Sequence, residues 1–439
     1  MRVFTHGIGG SQDLPISLPF ALAGGAAALA VSFIVLVMAW RTPRFDAANQ
    51  GRPLPRAVVA AVDGGWLSQL LRAFGLVFTA YVGWAAFAGP DTLANPTFGV
   101  VYVLLWVGIV PASLLLGPVF RAVSPVRTVH RLLSRVTGGR PEDSILRLPS
   151  WVGLWPAALG LLAFTWLELV FPEANYLSSV RLWFAGYAVV LLVGAAVFGD
   201  RWFAAADPFE VLSTLVGHLS PFGRTSDGTL VIRSPLRNLD GIEPQPGLVA
   251  AVSVLVGSTA FDSFSDSLAW VRYTQASTLP GVPLDTAGLV SFSVLVGVLF
   301  AAATMATAPP PHLPRRQLPG HFAHSLVPIV VGYLTAHYLT YLVEVGQQTL
   351  VRLSDPMVNG SNLLGTADLQ PSYWLSLHPT LLASLKVGAI VGGHVLGVIA
   401  AHDRAMQLLP RRSQLTGQLP LLVVMVGYTV SGLYLLLTV

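Results

Sequence analysis

Apolar residues run along this chain in long, nearly unbroken stretches, without the three-to-four-residue alternation of a helix that is half in water. A membrane-spanning helix needs about 20 mostly apolar residues. Ten stretches meet that requirement: residues 16–40, 70–89, 97–120, 151–172, 178–198, 247–270, 285–307, 321–348, 379–401 and 418–438. The pattern predicts an all-α, polytopic integral membrane protein. It is a single transmembrane bundle over 1–439, of about ten transmembrane helices. The polar connections predict an N-terminal segment (1–15) and a long loop at 349–378 on one side, and a loop at 219–246 on the other. In the last of these, Ser226-Asp227-Gly228 feeding Thr229-Leu-Val-Ile-Arg233 reads as a turn into a short strand, and hence a small hairpin.

Basic residues test the assignment independently. The odd-numbered connections hold nineteen of the 25 basic residues, from Arg41 and Arg44 through Arg411 and Arg412, whereas the even-numbered ones hold only Arg272 and Arg352. Because Arg and Lys are retained on the cytoplasmic side, this alternation puts both termini outside a cell (plasma) membrane. All the basic residues but Lys386 are Arg, a bias that points to a GC-rich bacterial source. The first apolar run is too long for a signal-peptide core and reads as a retained span.

Two cytoplasmic connections are alike. Phe120-Arg-Ala-Val-Ser124-Pro125 and Phe203-Ala-Ala-Ala-Asp207-Pro208 each place a capping side chain before a proline, and an amphipathic run comes after. Ser or Asp at the cap and Pro at the first helical position start a helix for a physical reason. Two short interfacial cytoplasmic helices are expected here, and with them a parallel repeat of 70–135 and 151–218.

Composition agrees with the pattern. Hydrophobic residues make up 54% and charged residues 10% of the 439, and mean hydropathy is +0.66. That excludes both a soluble domain and a disordered chain. The net charge of +4 is explained by the loop distribution, so no nucleic-acid partner is expected. The chain has no Cys, which excludes disulfides, thiolate metal sites and cysteine catalysis.

Ionisable residues at membrane depth are candidate functional groups. In the sixth span, Asp262 and Asp266 stand four apart, which on a continuous helix puts both carboxylates on one face with Thr259 and Ser263 beside them. Two such anions share a proton or bind a cation; a helix ending near Phe261 would instead leave both in a solvated loop. In the eighth span, His337, Tyr341, Glu344 and Gln348 stand at i, i+4, i+7 and i+11, a single polar stripe. Interhelical hydrogen bonding is its alternative role. The ninth span carries Lys386, at a level where Glu344 or Asp266 is a suitable partner, and Gly392-Gly393-His394. It ends in His402-Asp403-Arg404, where charge at the membrane edge reads as topology and snorkelling. Glu168, His6 and Asp13 are further members of an outer polar group. His337 and His394 differ in depth by about 12 Å, which disfavours paired axial ligation of a haem. No zinc-protease, phosphate-loop, nucleophile-elbow or dinucleotide motif occurs.

The opening Thr5-His-Gly-Ile-Gly-Gly-Ser-Gln-Asp-Leu-Pro15, with Ala260-Phe-Asp262, Gly393-His394 and Ala401-His-Asp403-Arg404, resembles a little-studied family of bacterial and archaeal multi-pass proteins. Some of its members carry the label fenitrothion hydrolase. The resemblance implies an organophosphate esterase, but it assigns no role to a residue.

Three functions are therefore expected, in order. The first is a transporter-like protein whose outward-facing site handles protons, a metal cation or a small solute through Asp262, Asp266, His337, Glu344, Gln348, Lys386 and His394. In it Lys386 is a counter-charge and His337 a relay. The second is a membrane-embedded hydrolase binding a divalent metal through His6, Asp262, Asp266 and Glu344; no other cofactor is indicated. The third is a structural subunit bound to other membrane subunits or to further copies of itself. The topology is directly testable in a chain without native thiols. Single cysteines at Ser144→Cys and Ser361→Cys are expected to differ on intact cells, with only the second reacting with an impermeant thiol reagent. Equal labelling contradicts the assignment.

Overall fold

The computed structural model describes residues 10–48, 50–307 and 309–438, with the side chain of Arg412 left out. It is mostly helical. In chain order the longer helices are α1 (Leu18–Ala39), α2 (Trp66–Ala88), α3 (Pro96–Leu105), α4 (Ile109–Leu116), α5 (Pro125–Val136), α6 (Trp155–Leu169), α7 (Leu177–Phe198) and α8 (Pro208–Gly217). They continue with α9 (Leu248–Ser265), α10 (Leu268–Ala276), α11 (Gly281–Met305), α12 (Val327–Thr340), α13 (Gly346–Arg352), α14 (Pro379–Leu408) and α15 (Leu419–Thr438).

Among the described residues, eight helical segments are long and apolar enough to cross a membrane, and a ninth is counted if α3 and α4 form one span bent by 43°. The multi-pass, mostly helical character rests on these. The tenth expected stretch, 151–172, holds only the fifteen-residue α6. At 1.5 Å per residue that is about 22 Å, short of the roughly 30 Å of a hydrocarbon core. The eighth stretch lies in one helical run, Arg315–Arg352, longer than a single span requires.

The chain divides into two compact units. One comprises residues 1–47, 239–340 and 373–439, and the other 48–238 and 341–372. In the first, α12 and α14 approach closely because each offers a glycine to the other. A Cβ at Gly332 would strike the Ala389 carbonyl, and one at Gly393 the Pro328 carbonyl. Small residues serve this purpose in membranes, where packing rather than hydrophobicity drives helices together. Tyr333, Ala336, Ile390, Leu433 and Leu437 form a core across α12, α14 and α15. The end of α14 is tied down by its polar residues, contrary to the reading of an exposed, snorkelling edge. His402, Asp403 and Arg404 are all buried. Asp403 accepts from the Trp40 indole and from the backbone N–H of Arg44 and Phe45. His402 contacts the Trp40 carbonyl and Gln418, and Arg404 pairs with Asp240 at 3.1 Å.

In the second unit, strands β1 (Arg52–Pro53), β2 (Phe222–Arg224) and β3 (Leu230–Ile232) make an antiparallel sheet ordered β1-β3-β2, with β2 and β3 turning through Gly228 at φ +85°. Helices α5 and α8 begin at Pro125 and Pro208. Ser124 Oγ accepts from the Arg127 N–H, and Asp207 Oδ1 from the N–H groups of Phe209 and Glu210. Arg127 and Glu210, each two residues past its helix-starting proline, form a buried bidentate pair at 3.0 and 2.8 Å. Asp200 takes the third guanidinium contact at 2.6 Å. This two-contact geometry is the strong form of a charge-assisted hydrogen bond.

Burial pushes the Asp207 carboxyl up to about 7 from an ordinary 3.8, with the Glu210 charge adding to the effect. A carboxyl raised on folding contributes stability that is full below its unfolded value and is lost as pH rises through the folded value. The unfolding midpoint is therefore expected to fall between about pH 4 and about pH 7, with a flatter profile in Asp207→Asn, which keeps a capping oxygen. Identical slopes in thermal unfolding of the two proteins would refute this.

Candidate functional site

The sixth apolar stretch does not run to residue 270 as one helix. Helix α9 ends at Ser265, and the Ser267 side chain caps α10 by accepting from the Trp270 N–H. Ser and Asp readily bond to nearby backbone and so favour such breaks. The break falls between the two carboxylates. Asp262 is inside α9 and buried, while Asp266 is the C-cap of that helix and half-buried.

What α9 does instead is present Asp262 to α12. Asp262 Oδ2 lies 2.8 Å from His337 Nε2 and accepts the Tyr338 hydroxyl at 2.9 Å. The other ring nitrogen, His337 Nδ1, is 3.2 Å from Ser263 Oγ. That oxygen is 3.4 Å from the Tyr333 hydroxyl. All five residues are buried. A carboxylate cannot donate once ionised. With Asp262 ionised and His337 neutral, Nε2–H therefore faces Asp262 and Nδ1 accepts from Ser263. The network is a continuous chain of exchangeable protons, Asp262–His337–Ser263–Tyr333, with Tyr338 as a second donor.

Tyr333 and Tyr338 were not among the residues singled out from the sequence. Tyr333 is four residues before His337 and shares its face. Tyr338 is one residue after, about 100° round the helix. Consecutive side chains can straddle a facing helix when their target sits opposite the gap between them. A spacing rule built on i+4 overlooks that arrangement.

A π-helical turn, Tyr341–Val345, succeeds α12. Glu344 is buried, whereas Tyr341 and Gln348 are half-buried. These three residues belong to the second unit and Asp262 and His337 to the first. In the second unit, Gln347 is tied by both its amide atoms to the backbone of Ser372, and Glu168 and Tyr341 are the charged and phenolic groups acting on Tyr102. Lys386 is buried in α14, and the Asp13 carboxylate is among the groups acting on it. His394, also buried, directs Nδ1 at the Ile390 carbonyl, 2.9 Å away.

Among the described residues, no three His, Asp or Glu side chains are grouped so as to hold a metal ion. Of the expected ligands His6, Asp262, Asp266 and Glu344, His6 lies outside the described residues. No known protein family, curated protein or solved structure matches the chain.

Proposed function

We propose that this chain is a transporter-like protein of the cell membrane, with both termini outside, in which the Asp262–His337 pair takes up and releases a proton. The observation that carries the reading is the pair itself: a buried carboxylate and imidazole at 2.8 Å in the interior of two apolar helices. Ionisable groups in such positions are costly, and in membrane proteins they mark proton and ion pathways. Neutral hydrogen bonds would be enough to hold α9 against α12, and they add only about 0.6 kcal/mol each in a bilayer. A carboxylate facing an imidazole adds a proton-binding pair, and Ser263 and Tyr333 extend it beyond the two helices' contact point. In this reading Asp262 binds the proton, His337 relays it and Tyr338 stabilises the ionised carboxylate. Coupling to a small solute, and the roles of Asp266, Glu344, Gln348 and Lys386 as an outward-facing polar group, belong to the same proposal.

A second reading is favoured by one specific feature. Ser263, His337 and Asp262 are linked in the order of a nucleophile, base and orienting acid, which agrees with the esterase activity implied by the sequence resemblance. The weakness is electrostatic support for an oxyanion: Ser263 sits inside α9, where backbone N–H groups are spent on the helix.

The test is a pH jump applied to reconstituted protein on a solid-supported membrane. Wild type is expected to give a transient charge movement that is largely lost in Asp262→Asn. Asn conserves volume, so the variant is expected to fold. An unchanged transient in Asp262→Asn removes the proton-site reading, and covalent labelling of Ser263 by a fluorophosphonate places hydrolysis ahead of it.

A further inference from the structure

The first unit contains a cavity of about 400 Å³ bounded by α9, α11, α12, α14 and α15. Its walls are almost wholly apolar, from Val256, Phe292, Ile329 and Val424 to Leu295 and Val423. The last two are more than half exposed on helices that qualify as membrane spans, so one side of the cavity adjoins the lipid-facing surface. Four polar side chains line it. Three of them are committed elsewhere: the Tyr428 hydroxyl donates to the Val296 carbonyl, Ser431 to the Gly427 carbonyl, and Tyr333 meets Ser263. The fourth is His394, 3% exposed, whose Nε2 has no hydrogen-bond partner among the described residues.

The protonation of that ring is set by geometry. A carbonyl oxygen only accepts, so His394 Nδ1, 2.9 Å from the Ile390 carbonyl of its own helix, carries the hydrogen. In the neutral ring Nε2 then holds a lone pair that meets no donor among the described residues, on a side chain that lines the cavity. A buried acceptor without a donor is costly, by about 1–3 kcal/mol. The ligand that relieves it must be apolar over most of its surface and must donate one hydrogen bond. A ketone, an ester or an ether has no hydrogen to give.

We infer that this cavity binds a lipophilic alcohol or phenol drawn from the membrane, its hydroxyl donating to His394 Nε2. The volume falls within the range of small-molecule sites, which are mostly apolar with a few placed polar groups. The assignment does not rest on the proton site: it needs neither Asp262 nor His337.

The experiment is native mass spectrometry of the purified full chain with 4-octylphenol and its methyl ether, 4-octylanisole, which differ in the donor alone. Wild type is expected to hold one 4-octylphenol and to bind the ether at least about tenfold more weakly. In His394→Leu the two probes are expected to bind alike. In Gly427→Leu, where the added side chain starts from open space beside the cavity, neither is expected to bind, although His394 is intact. Equal binding of phenol and ether by wild type, a preference that survives in His394→Leu, or no saturable 4-octylphenol adduct on wild type would each overturn the assignment.

Discussion

A polar group inside a bilayer must find its partner within the protein, because lipid offers none. This constraint organises the first unit around Asp262. The carboxylate in α9 is met from α12 by an imidazole and a phenol, and those contacts in turn orient Ser263 and Tyr333. For the helices to come close enough elsewhere, α12 and α14 give up side chains at Gly332 and Gly393. The resulting core, from Tyr333 to Leu437, carries one residue of the network directly. Packing and chemistry are thus joined at Tyr333, which belongs to the core, the proton chain and the cavity wall at once.

The same constraint is met differently in the second unit. There the charges are full and opposite: Arg127 lies between Glu210 and Asp200, and both helices that supply the pair start at a capped proline. Breaking a buried pair of this kind leaves an uncompensated charge and is strongly destabilising. The Arg127 guanidinium is taken up by the two carboxylates, which gives the group a structural role. Asp262 and His337 differ in that the proton between them has two basic sites and a further hydroxyl to move towards.

Much of this was legible in the chain. Uninterrupted apolar stretches are a strong signal of membrane helices, and the helix starts at Pro125 and Pro208 are written in capping side chains whose chemistry is local. Asp262 and His337 stood out because charge is rare in such stretches. The features that escaped depend on breaks in regular geometry. Helix α9 stops at Ser265, which leaves Asp266 as its C-cap, and residues Tyr341–Val345 form a π-helical turn where an unbroken α-helix was expected. Residues 151–172 contain enough apolar side chains for a span, yet only Trp155–Leu169 is helical. Tyr338 could not be found by spacing, since its partner lies on another helix. His402, Asp403 and Arg404 resembled an exposed edge because sequence shows charge but not the loop, from Trp40 to Phe45, that covers two of them.

The central claim is that Asp262 binds and releases a proton while held by His337 and Tyr338. Infrared difference spectroscopy of the reconstituted protein over a pH titration reads this directly through the stretching band of a protonated carboxyl group. The expected band grows as pH falls, shifts in Tyr338→Phe as one hydrogen bond is removed, and disappears in Asp262→Asn. A titrating carboxyl band that is the same in wild type and Asp262→Asn would contradict the claim.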